Sequence, residues 1–186
     1  MIYPIIAYGD PVLRKKASKI DKDHPKLQEI IDNMFKTMYH SQGVGLAAPQ
    51  VGLSIRLFVI DATPFGEDDP TAEGFKKVFI NAELLNQEGD KWKFNEGCLS
   101  IPGVREDVER HPSLVIRYQD QNFETHTEEY QGVKARIIQH EYDHIEGILF
   151  TDHLSPLKKT MLKGRLTDIS KGKVDADYKM RFYTKR

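Results

Sequence analysis

Two imidazoles and a carboxylate stand close together in His140-Glu141-Tyr142-Asp143-His144, an HExxH arrangement. On an α-helix, residues four apart lie about 40° apart around the axis and one turn up. Both rings can then grip one cation from the same face. Glu141 is rotated by about 100° from His140, which sets its carboxylate beside the cation rather than on it. A base must sit there to take a proton from water that the cation activates. With only 7 His in the chain, the motif arises by chance roughly 0.02 times. Two unrelated surface histidines are therefore the weaker explanation.

Two ligands do not complete a site. One type of zinc protease places a third histidine six residues after the second, and that position here is Phe150. Another type uses a downstream glutamate, and no glutamate follows Glu146. Asp152, His153, Asp168 and the upstream Cys98 remain. A thiolate binds such cations well, and Cys98 is the sole cysteine of the chain. An inert buried thiol is the plain alternative. The setting Asn95-Glu96-Gly97-Cys98-Leu99-Ser100 favours a ligand, since Gly97 lets the backbone turn or approach closely. Three protein ligands leave a position for water, the pattern of a catalytic site rather than a structural one.

A second segment, Gly43-Val44-Gly45-Leu46-Ala47-Ala48-Pro49-Gln50-Val51-Gly52, is small, apolar and tightly turned. It lacks the Lys-Ser/Thr ending of a phosphate cradle. Gly45 can bring backbone groups against an extended ligand. Gln50 is a neutral amide in an apolar run, and its NH₂ can donate to a developing oxyanion. A purely structural turn is the alternative.

These residues need elements to hold them. Leu27, Ile30, Ile31, Met34, Phe35 and Met38 recur at the spacing of one helical face, which predicts a helix over 24–41. Asp23 is its expected N-cap and Pro25 suits its first turn. Strands are expected at 56–61, 77–81, 92–94, 113–120 and 126–130, and a loop over 61–77. Residues 132–146 read as a helix stopped by Gly147. Ser155-Pro156 opens a last helix through Ile169, with Leu157, Met161, Leu162, Leu166 and Ile169 as one apolar stripe. The expected class is α+β: antiparallel or mixed sheets packed around a central metal-binding helix, with an N-terminal and a C-terminal helix. Val133 and Ile137 fall on adjoining turns of the face that carries His140. With Val44 they are candidates for an apolar substrate pocket, core packing being the alternative.

Composition bounds the setting. The chain of 186 residues is 39% hydrophobic and 30% charged, which excludes a low-complexity chain and is enough for a core. No stretch approaches the roughly 18 consecutive apolar residues of a membrane helix. Pro4 and Gly9 interrupt the N-terminal apolar residues, so no secretory signal is expected. A single cysteine forms no internal disulfide, which fits the cytoplasm. The net charge of −1 is unevenly spread: residues 155–186 hold 10 Lys and Arg against 3 Asp. That basic segment can meet an anionic partner, or simply be solvated.

Taken together, GVGLAAPQVG at 43–52, EGCLS at 96–100 and QHEYDHIEG at 139–147 resemble the peptide deformylases, in the same order along the chain. DPVLRKKA near the start and VFIN at 78–81 extend the likeness over residues 4–165. The resemblance implies a metal-dependent hydrolase that removes the formyl group from the N-terminal formyl-methionine of nascent chains and releases formate. It implies that Cys98, His140 and His144 hold one divalent cation. Ferrous iron is the expected metal, with zinc, nickel or cobalt able to replace it. Glu141 would be the general base and acid. The Gln50 amide and the Leu99 N–H would form the oxyanion hole. Gly45 would lie along the substrate backbone; Gly97 joins Val44, Val133 and Ile137, which their positions nominate, as a candidate substrate contact. Glu96 would pair with a downstream arginine, Arg110 being the candidate. Residues 1–165 would form one catalytic domain and 166–186 a basic extension able to reach the ribosome. No membrane and no sequence-specific nucleic acid partner is expected. Ala82 after VFIN, the long acidic loop and the sequence beyond Ile169 depart from the family pattern. Two rivals remain: an HExxH protease using His153 or an aspartate as third ligand, and a metal-stapled adaptor acting through its basic segment.

Overall fold

The computed structural model describes residues 1–184. The chain runs β1 (Ile5–Ile6), α1 (Leu27–His40), β2 (Gly45–Ala47), β3 (Leu57–Asp61), β4 (Lys76–Glu88), β5 (Trp92–Cys98), β6 (Ile101–Arg110), β7 (Ser113–Gln119), β8 (Thr125–Gln131), α2 (Gly132–Glu146), α3 (Pro156–Ser170) and β9 (Met180–Arg181). Strands β2-β3-β4-β7-β8 form one antiparallel sheet in that order. β5 and β6 form a separate hairpin, and β1 pairs with β9 in parallel. The α+β class read from the sequence holds.

The main sheet is covered on both faces, which explains why Leu57, Phe58, Val59 and Ile60 are apolar without alternation. Leu57 and Val59 pack with Ile31, Met34 and Met38 of α1. Phe58 and Ile60 pack with Ile137, Ile138 and Ile145 of α2. Phe58 stacks on Phe79 across the strand pair, with ring centroids 4.7 Å apart. Each such fully buried side chain contributes about 1.5–3 kcal/mol. A third cluster joins Ile101, Val104 and Val108 of β6 to Phe150, Leu154, Leu166 and Ile169. The helix that must present the histidines is thus wedged between the sheet and the hairpin.

Several boundaries differ from the sequence reading. Helix α1 begins only at Leu27, after Lys26 in a left-handed conformation (φ 57°), and no side chain caps it. Asp23 and Pro25 belong instead to the turn before it. β4 runs on past Asn81, where a positive φ of 53° and a register shift mark a bulge. β6 was not anticipated, because its charged residues interrupt any simple alternation. The loop over 61–77 contains two short 3-10 turns, at Thr63–Phe65 and Pro70–Ala72. The expected stripe on α3 is split: Leu166 and Ile169 are buried, whereas Leu157 and Met161 stand 71% and 74% exposed. The segment beyond α3 returns to the body and ends in β9. Lys185 and Arg186, the last residues of the basic segment, lie outside the described residues.

Candidate metal centre and active site

The sulfur of Cys98 and one ring nitrogen from each of His140 and His144 all lie within 4.8 Å of one another. Sγ of Cys98 is 3.4 Å from Nε2 of His144. Tetrahedral bonds of the usual Zn–S and Zn–N lengths place such a pair about 3.5 Å apart. Helical spacing delivers the two rings, whose planes are inclined at 75°. The cysteine arrives from elsewhere: it ends β5, where a register shift and the two-residue turn Leu99-Ser100 swing it toward α2.

Glu96, two residues upstream, fixes the first ring. Its Oε2 lies 2.9 Å from Nδ1 of His140, which leaves Nε2 of that ring to face Cys98 and His144. Arg110 donates to both carboxylate oxygens of Glu96, at 2.8 and 3.1 Å, and Arg136 donates to one at 2.9 Å. Arg110 also reaches Asp143 at 2.7 Å, which in turn bonds His153. Burial would raise the pKa of Glu96, but the hydrogen bonds from His140 and Arg110 prevail and hold it well below the carboxylate range. His140 is pushed up the same way: burial disfavours its charge, and Cys98 and Glu96 outweigh that. Burial and the neighbouring His140 push His144 far down, toward the neutral form that a ligand requires.

Glu141 sits beside this group, 4% exposed. Burial raises its pKa to about 7, against the opposing pull of His140. One of its oxygens and Nδ1 of His144 have no hydrogen-bond partner among the described residues. The carboxylate lies against Gly45, where a Cβ would overlap it, with Cδ and Cγ at 2.8 Å. Only glycine permits that approach. Gln50 is held by its own turn: Ala47 N–H donates to Oε1 at 2.9 Å. Its NH₂ is thereby aimed at Cys98 Sγ and Ser100 Oγ, both at 3.4 Å.

These groups share a cavity of about 500 Å³ whose lining includes Val44, Gly45, Gly97, Leu99 and Ile137. Val133 is not among the lining residues; it points from the first turn of α2 into the core against the main sheet. His153 and Asp152 are engaged with Asp143 and Arg14, away from the centre. Phe94, Arg105 and Tyr178 also line the cavity and were missed. Phe94 follows from the alternation of β5, but nothing local in the sequence announces Tyr178.

An HExxH helix on this α+β scaffold, with a cavity at its flank, belongs to a hydrolase. The description "Polypeptide deformylase" matches residues 2–160 of the chain. A peptide deformylase of Christiangramia forsetii is 61% identical, over 98% of this chain and 96% of that protein. One of Cytophaga hutchinsonii is 55% identical over the full length of both. The crystal structure of peptide deformylase from Thermus thermophilus superposes with a TM-score of 0.82 at 37% identity, covering 92% of this chain and 99% of that one. The chain belongs to the polypeptide deformylase family, metal-dependent enzymes that remove the N-formyl group from nascent peptides. The residues present fit a cation: one sulfur and two imidazoles from distant parts of the chain converge within 4.8 Å, a donor set suited to a transition metal. No helix among the described residues is long and apolar enough to cross a membrane.

Proposed function

We propose that Cys98, His140 and His144 hold one divalent cation, ferrous iron first, and that Glu141 moves the proton as formyl-methionine is deformylated. When bound, the cation supplies Lewis acidity toward the formyl oxygen and toward water. Glu141, poised near neutrality, takes a proton from the attacking water and returns it to the leaving amine. Formate and a free N-terminus result. As charge gathers on the formyl oxygen, the Gln50 NH₂ and the Leu99 N–H receive it. One such donor is worth about 2.7–4 kcal/mol.

β2 is an edge strand, so Gly45 can pair with an extended peptide as an added strand. Val44 and Ile137 offer apolar contact for the first side chain, and Gly97 faces the cavity from β5. The formyl carbon carries only hydrogen beyond its oxygen, and Cys98 and Leu99 leave little room for a larger acyl group.

Residues 1–165 carry the ligands and the base in this reading, with the cytoplasm as the setting; the basic segment 166–186 is no separate extension but part of the same unit, since Leu166 and Ile169 pack on β6 and Tyr178 lines the cavity. The ribosome is its partner through the excess charge of residues 155–186 and the exposed Leu157 and Met161 of α3. Replacing Lys159 and Lys163 by glutamate should then reduce pelleting with ribosomes.

The observation that carries the reading is the convergence of Cys98 with the HExxH pair, and it disfavours the protease alternative. Formate release from a formyl-methionyl peptide, with an acetylated control, tests it. Glu141→Ala should retain metal and lose about 10²–10⁴-fold in kcat. Full activity in that variant refutes the assignment.

A further inference from the structure

Residues 174–181 form a strap beside the cavity: Asp175, Ala176, Asp177 and Tyr178 line it, and the backbone bends at Asp177-Tyr178 before entering β9. Val174, Ala176, Tyr178 and Met180 are half-buried, while Asp175, Asp177, Lys179 and Arg181 are exposed. The strap is tied down at its far end. Ile5 N–H donates to Lys179 O at 2.8 Å and Ala7 N–H to Arg181 O at 2.9 Å. The same N-terminal segment continues to the active-site turn, where Tyr8 N–H donates to Ser100 O at 2.8 Å. One continuous backbone therefore links the strap to the turn after Cys98.

Tyr178 makes the link direct. Its hydroxyl donates to the carbonyl oxygen of Leu99 at 2.8 Å, and its ring packs with Met180 and Leu99 against the α1 side of the core. Leu99 lies in the two-residue turn between Cys98 and Ile101, and, as in any residue, a single Cα joins its N–H to its carbonyl. Clamping the carbonyl plane restricts the dihedrals that aim the N–H.

We propose that Tyr178 is a positioning residue for deformylation, holding Leu99 in the orientation its N–H needs in the transition state. This rests on the assignment of the Leu99 N–H to the oxyanion hole. The hydroxyl touches neither the reacting atoms nor the three candidate ligands, so its loss should spare both metal and substrate binding. A donor misaimed only in the transition state lowers kcat and leaves KM alone.

The test is Tyr178→Phe in the metal-loaded enzyme, with a formyl-methionyl peptide as substrate. Metal content and Tm are measured on the same samples, and kcat is expressed per bound metal. Complete loss of an oxyanion donor costs about 10²–10³-fold. A donor present but less well held should cost about tenfold in kcat, with KM within twofold. A merely structural tyrosine would lower Tm and leave kcat per metal unchanged. A kcat within twofold of the parent, or a loss carried by KM or by metal content, overturns the proposal. If Phe at this position folds poorly, Tyr178→Leu at low temperature, which also lacks a donor and keeps apolar packing, gives the same kcat-against-KM split. Glu141→Gln, run alongside, separates the two levels. An active Glu141→Gln enzyme defeats the underlying mechanism. An inactive one, with Tyr178→Phe at parent activity, defeats only the role of Tyr178.

Discussion

Glu96→Gln isolates what the buried carboxylate does for the metal centre. The carboxylate accepts four hydrogen bonds, from Arg110 at 2.8 and 3.1 Å, Arg136 at 2.9 Å and His140 at 2.9 Å. Glutamine keeps the shape and one carbonyl oxygen. Its NH₂ must face donors, and the negative charge between two buried guanidinium groups disappears. Breaking a buried ion pair from one side costs about 3–5 kcal/mol. Arg110 keeps Asp143 at 2.7 Å, so the lower part of that range, about 3–4 kcal/mol, is expected. His140 also loses the partner that fixes its ring, and such a loss weakens metal affinity by about 10–100-fold. At fixed metal concentration well above Kd, that takes a further 1.4–2.7 kcal/mol or so from the loaded protein. Urea unfolding of the metal-free and metal-loaded forms should therefore show two different losses, the loaded form losing more. Chelator competition measures the affinity directly. A loss below about 1 kcal/mol in both forms, with unchanged affinity, would refute the account of Glu96 as the common anchor of Arg110, Arg136 and His140.

Other expectations follow from the same geometry. Cys98→Ala leaves two protein ligands, and metal analysis after dialysis should find the cation lost; full retention would assign the third ligand elsewhere. Gly45→Ala places a methyl group on the Glu141 carboxylate, so kcat should fall sharply for a stability cost of about 1–3 kcal/mol, read by kinetics and thermal melting together. Glu128 is opposed by burial, but hydrogen bonds from Lys77, Tyr118 and Tyr130 hold it down at about 2, below its ordinary 4.5. The stability it contributes is complete above pH 4.5 and is lost as pH falls through about 2. Glu128→Gln should thus be slightly destabilising at pH 7, by less than about 1 kcal/mol for so exposed a pair, and the gap should close in acid melts.

How much could be read without coordinates depended on how local the signal was. The α2 helix announced itself twice, by its apolar spacing and by His140, Glu141 and His144. Cys98 was legible because it is the chain's one thiol, and Arg110 because it was sought as a partner for Glu96. Arg136 was not, since an arginine at a helical position reads as surface until a carboxylate is placed beneath it. Val133 and Leu157 show the converse failure. Periodicity says which residues share a helix face, but not whether that face meets a cavity, a core or solvent. Tyr178 and β9 lay beyond any local rule, because their partners are Leu99 and Ile5, far away along the chain.

The pairing of Ile5 with Met180 has a kinetic consequence. Closing a loop that spans nearly all of the polypeptide carries the largest chain-entropy cost in the molecule, for the return of a ladder only two residues long. Contacts of short range form sooner, so α2 with its two histidines and the β5–β6 hairpin can be in place before this last stitch is made. The same stitch is the first to slip under strain, and amide exchange at Ile5 and Ala7 should outpace that at Phe58 and Ile138. The seam thus joins two segments far apart in sequence directly behind the turn that follows Cys98, through Tyr8 on one side and Tyr178 on the other.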